Sequence, residues 1–113
     1  MGKATAKYER LTEALRRAIT AAELAVAENP EDGGTCNFDS PALLLPGCTE
    51  KRVEEAARKA GCGYFKWNLY GTRYFVFPLR VGGQGSSRTR AAEAAKDSLT
   101  ADGYHAAVYY QMD

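Results

Sequence analysis

Cys62-Gly63-Tyr64-Phe65-Lys66-Trp67-Asn68-Leu69-Tyr70-Gly71-Thr72-Arg73-Tyr74-Phe75-Val76-Phe77-Pro78-Leu79 is aromatic, alternating and broken once by a turn dipeptide. Such a run reads as a β-hairpin. Residues 62–70 form the first strand, Gly71-Thr72 the turn and residues 73–79 the return. Pro78 marks a strand end or an edge position. Alternation puts Phe65, Trp67 and Leu69 on one face and Tyr64, Lys66, Asn68 and Tyr70 on the other. Arg73, Phe75 and Phe77 share a face of the return strand. One face of any such hairpin is core, so about half of these rings need no role beyond packing. The mixed face with Lys66 is the one of functional interest.

Working outward, residues 80–87 are a glycine- and serine-rich loop. Ser86 or Ser87 then caps a helix running to about residue 101, which Asp102-Gly103 ends. Residues 104–112 read as a last strand with Ala106, Val108 and Tyr110 on one face. Upstream, Thr49 is an N-cap for a helix that ends at Gly61. Residues 42–45 are a short buried strand closed by Pro46-Gly47, and residues 30–41 are loop. Residues 4–28 form a long amphipathic helix in which Tyr8, Leu11, Leu15, Ala18, Ala22 and Ala25 follow three-and-four spacing. At ~1.5 Å per residue it spans roughly 36 Å. Its alanine stripe suits close packing, against its own sheet or against a second subunit. The order α-β-α-β-β-α-β predicts an α+β fold, an antiparallel sheet carrying helices on one side. Residues 1–113 make one domain, the long helix followed by a body over 35–112.

The chain has 113 residues and a formal net charge of +1. A general attraction to nucleic acid or acidic membranes is therefore not implied. No apolar run approaches the ~20 residues of a membrane span. Between Glu55 and Glu93, however, there is no acidic residue. That window holds seven basic residues and seven of the twelve aromatic ones. Cations supply phosphate affinity and rings supply stacking surface. An anionic, ring-bearing ligand is the expectation. One form of it is an RNA- or DNA-binding module built on the basic aromatic block 56–92.

Chemistry-bearing residues are few. Gly82-Gly83-Gln84-Gly85-Ser86-Ser87-Arg88-Thr89-Arg90 places a glycine-rich loop, a helix N-terminus and two guanidinium groups together. It is either an anion site or a loop with two solvated arginines. It lacks the lysine of a P-loop. Asn37 and Asp39 could bond ribose hydroxyls or a base edge and Phe38 could pack on a ring. The alternative there is an Asx-turn with Phe38 in the core. Arg73 and Arg80 add cationic surface around the glycine loop. Cys36, Cys48 and Cys62 read as reduced thiols. Cys36, Asp39 and His105 lack the local signature of a thiol triad, and no Cys-x-x-Cys pair suggests zinc. His105, the only histidine, reads as a strand residue or a polar ligand contact. No catalytic residue, metal site or cofactor is expected.

Asp32-Gly33-Gly34 followed by Thr35-Cys36-Asn37-Phe38-Asp39-Ser40-Pro41 resembles a stretch of the first-described phage Thoeris anti-defence proteins. The long first helix, the aromatic hairpin and the Ser-Arg-Thr-Arg helix start are similar as well. That resemblance implies a sponge, not an enzyme. It would capture glycosylic cyclic ADP-ribose signals without cleaving them, and cyclic di- or trinucleotides at a separate site. It implies a homo-oligomer, dimer or hexamer, acting in the cytoplasm of the infected bacterial host. By position it makes Arg88 and Arg90 phosphate ligands, and Asn37 and Asp39 ribose or adenine contacts. Phe38 and Phe75 are the stacking candidates, and Arg73, Ser87 and His105 complete the expected ligand contacts. A third reading is an oligomeric structural protein glued by the alanine-rich helix.

Overall fold

The structure is a computed structural model that describes residues 3–28, 39–80 and 86–110. Its elements are α1 (Lys3–Glu28), β1 (Ser40–Leu44), α2 (Glu50–Ala60), β2 (Phe65–Leu69), β3 (Thr72–Val76), α3 (Ser86–Ala101) and β4 (His105–Tyr109). The fold is the expected α+β arrangement. One four-stranded antiparallel sheet, in the order β2-β3-β1-β4, carries the helices on one face. Among the described residues no helix is long and apolar enough to cross a membrane.

The hairpin turns one residue earlier than expected. Leu69 pairs with Thr72, so Tyr70-Gly71 is the two-residue loop. Both have positive φ, 50° at Tyr70 and 83° at Gly71. That mirror-image turn matches the right-handed twist of the strands it joins. Tyr70 adopts a conformation unusual for a ring-bearing residue, and its side chain is almost wholly in solvent. Gly61 closes α2 as expected, at φ 99°. Thr49 occupies the N-cap position of α2, but its side chain makes no capping bond. Its backbone N–H instead donates to the Tyr8 hydroxyl at 2.9 Å, tying α2 to α1. Ser86 and Ser87 both lie inside α3 and do not precede it. β1 begins at Ser40, so Ser40 and Pro41 belong to the sheet and not to the loop.

α1 is the middle helix, touching α2 on one side and α3 on the other. Ala14, Ala18 and Ala22 are buried in the core together with Ala91, Ala95 and Leu99 of α3. Small side chains on both helices let the two backbones approach closely. The alanine stripe is thus used within the chain, and Ala18 is not available as glue between subunits. Phe77, Leu11, Leu15, Leu43 and Val53 complete the interior.

The register decides which hairpin face is core. Lys66 stands opposite Phe75, and Phe75 opposite Leu43, so these share the helix-covered face. The Lys66 face is therefore the inner one. Lys66 escapes burial at the sheet edge, where its ammonium meets Glu50 at 2.6 Å. That pairing, chiefly a hydrogen bond from Lys66, holds the Glu50 carboxyl below its usual range.

The other face carries Phe65, Trp67, Tyr74, Val76, Ala42, His105 and Tyr109. β2 and β4 lie at opposite edges, about 14 Å apart at ~4.8 Å per strand. Yet the Trp67 and Tyr109 rings meet edge-to-face at 4.8 Å, and Phe65 and Tyr109 at 5.3 Å. The large rings reach inward from both edges over the small residues between them. Ala42 and Val76, on the two central strands, are fully buried. This face therefore carries a second, smaller apolar cluster of its own.

Candidate functional site

α3 begins with Ser86, Ser87, Arg88, Thr89 and Arg90. The glycine-rich segment before it, residues 81–85, lies outside the described residues, as do Asn37 and Phe38. Ser87 is fully buried. Arg88 and Arg90 are half-buried. A guanidinium so near a helix N-terminus is opposed by the macrodipole. Arg88 stays there because its Nη1 donates to the Leu79 carbonyl at 3.0 Å, which ties α3 to the chain beyond β3. Its Nε is buried with no hydrogen-bond acceptor among the described residues. A buried donor left unmatched costs about 1–3 kcal/mol, more if charged.

Asp39 comes to the same place from the start of β1. It is 4% exposed, and its Oδ2 accepts from Thr89 Oγ1 at 2.8 Å. The Asp39 carboxylate also acts on Tyr110, just past β4. Burial first, then a hydrogen bond with Glu93, push the Tyr110 phenol up, and Asp39 adds to that. Asp39 thus braces the helix start, one oxygen at least being taken by Thr89.

The structure brings Asp39, Ser87, Thr89, Arg88 and Arg90 together and leaves three expected contacts elsewhere. Phe75 is a core residue whose ring stacks on Tyr64 at 5.9 Å. Its burial follows from pairing with Leu43 beneath the helices. Arg73 is exposed near the hairpin turn, where its charge acts on Glu50. It lies four residues from Phe77, about 13 Å along the strand. His105 pairs with Leu44, whereas Ser40 pairs with Tyr109. His105 is thus at the far end of β4 from Asp39, beside Tyr74.

Sequence reasoning missed the ring cluster of Phe65, Trp67, Tyr74 and Tyr109. Alternation does group Phe65 with Trp67, but Tyr109 joins them only through the strand order. No charged side chain shares this face among the described residues, His105 aside. The rings are largely engaged with one another. A polymer's phosphates would find no cation there.

Cys36 lies outside the described residues, and at Cys62 thiol chemistry is unfavourable. Burial pushes the Cys62 thiol up to about 11, partly opposed by the charge of Arg80. At neutral pH it is protonated, and the thiol is a poor nucleophile. Because the folded state holds this proton more tightly than the unfolded chain, the contribution is complete below pH 9.0, the ordinary value, and lost as pH rises toward about 11. The urea midpoint is expected to fall over that range in the parent. A Cys62→Ala variant is expected to lose part of that slope, and identical slopes would contradict the burial argument. Among the described residues no group of three His, Cys, Asp or Glu side chains could hold a metal ion. No protein-family model, curated protein or solved structure matches the chain.

Proposed function

We propose that this chain is a non-catalytic sponge for a compact phosphate-bearing nucleotide of the glycosylic cyclic ADP-ribose class. The observation that carries the reading is the Arg88 guanidinium, half-buried at the start of α3 with an unmatched buried donor. A phosphate there accepts from the guanidinium fork and relieves its repulsion with the helix dipole. Arg90, one residue beyond Thr89, adds the second positive charge such a ligand needs. The bond from Thr89 to Asp39 holds the helix start that carries the two arginines. The near-neutral chain and the uncharged ring face favour a compact ligand over a nucleic-acid polymer. The protonated Cys62 and the distance of His105 from Arg88 favour capture over turnover. In this reading the protein acts as a homo-oligomer in the cytoplasm of a phage-infected bacterium, denying an immune signal to its effector. Cyclic di- or trinucleotides are candidate second ligands.

The test is capture and release. The protein is mixed with glycosylic cyclic ADP-ribose, washed by filtration and heated, and the released compound is identified by mass spectrometry. Intact signal is expected back in near-stoichiometric amount. No retention, or a chemically altered product, overturns the reading. Retention of RNA or DNA with a steep salt dependence would replace it with the polymer reading.

A further inference from the structure

A groove of about 850 Å³ lies on the opposite side of the core from the start of α3 along β4, between α1 and the turns that follow β1 and precede β4. That volume falls within the ~300–1,000 Å³ usual for small-molecule sites. Its apolar wall is made by Leu44 and Pro46, with Leu11 and Leu45 buried behind them. Its polar groups fall into two sets. Arg17 is paired with Asp102 at 3.0 Å, and Glu13 with Arg16 at 2.8 Å, so these charges are matched. Lys7 and Arg10 are not. Lys7 Nζ rests on the Gly47 carbonyl, a neutral group, at 2.6 Å. Arg10 makes no ion pair or hydrogen bond among the described residues. Glu9 is the one lining carboxylate outside an ion pair, and it also lines a small pocket toward Arg52 and Lys59.

Tyr104 lies on the same wall, half-buried against the core. Burial raises its phenol, partly opposed by the charges of Arg10 and Arg17, which line the same groove. The phenol therefore remains a hydrogen-bond donor at neutral pH. Two cations and a hydroxyl donor beside an aliphatic wall form the complement of an anion carried on an apolar body.

We propose that this groove is a second binding site, for an organic anion whose carboxylate or phosphate is held by Arg10, Lys7 and the Tyr104 hydroxyl while its apolar body lies on Leu44 and Pro46. The cations confer the charge preference, and the apolar wall requires that the anion bring carbon with it.

Isothermal titration calorimetry of the full chain with octanoate, phenyl phosphate and inorganic phosphate tests this. Binding of octanoate or phenyl phosphate is expected, and the stronger of the two names the body preferred. Arg10→Ala is expected to weaken that binding about 10-fold or more, as loss of one charge-assisted bond implies. Tyr104→Phe should weaken it less. Arg10 and Tyr104 are solvent-facing enough for both variants to fold, which an unchanged melting temperature checks. An Arg88→Ala, Arg90→Ala variant should bind these probes as the parent does. The proposal is overturned if neither organic probe binds, or if Arg10→Ala binds them equally well. It is likewise overturned if inorganic phosphate binds as tightly as phenyl phosphate, or if the Arg88, Arg90 variant abolishes binding.

Discussion

Phe77→Ala is expected to bring the chain close to unfolding at ordinary temperatures. Phe77 is fully buried and is the largest such side chain in the core. It sits just past β3, where its N–H donates to the Pro41 carbonyl at 2.9 Å and extends the β1–β3 pairing. Truncating a buried phenylalanine removes its transfer energy and leaves a cavity, at a cost of about 3–5 kcal/mol. Single domains hold only about 5–15 kcal/mol in total. The melting temperature should fall by about 10–25 °C for a chain of this size. Phe65→Ala serves as the control. Its ring is 37% exposed at the rim of the second cluster, so its loss should cost clearly less. Thermal unfolding followed by far-ultraviolet circular dichroism reads both. Equal losses for Phe65 and Phe77 would mean that the two faces of the sheet contribute alike and that the helix-covered core is not dominant.

The Arg88→Ala, Arg90→Ala double variant is expected to lose nucleotide capture while staying folded. Charge-assisted hydrogen bonds contribute about 1.5–3 kcal/mol each. Removing both arginines should weaken binding of glycosylic cyclic ADP-ribose by about 10²- to 10⁴-fold. Stability should move little. The variant loses the bond from Arg88 to the Leu79 carbonyl, worth about 1 kcal/mol, together with the interaction that Arg90 makes. It also sheds a buried unmatched donor and two cations opposed to the helix dipole, which offsets that loss. The measurement is a binding isotherm beside a melting curve. A melting temperature that drops as far as in Phe77→Ala would make the arginines structural. Unchanged binding would remove them from the site. Asp39→Asn is informative beside it. It keeps an acceptor for Thr89, so a large binding loss there would give the carboxylate a direct role.

The hairpin and the helices were legible from residue pattern alone because their signals are local. A period of two over residues 65–76, a glycine at 61 and a three-and-four stripe in α1 each report on neighbours within a few residues. The turn was misplaced by one residue because Gly71 suits either loop position. Only the cross-strand pairing of Leu69 with Thr72 selects between them. The arginine pair was legible as suited to an anion, and Asp39 as a contact for ribose hydroxyls or a base edge. Their relation was not, since the bond from Thr89 to Asp39 joins residues fifty positions apart. Phe75 shows the same limit from the other side. Its chemistry suits stacking on a base, but its strand partner Leu43 places it under the helices.

By itself the sequence determined the number, kind and order of the elements, and that positive charge would gather late in the chain. These follow from local propensity and periodicity, which each segment carries with it. The tertiary structure decided which face of the hairpin is interior, which rings meet across the sheet, and which arginines lie beside Asp39. Those depend on strand order and register, which place residues far apart in the chain within a few ångströms of each other. Trp67 and Tyr109 touch only because β3 and β1 lie between their strands and offer Val76 and Ala42, small enough to be covered.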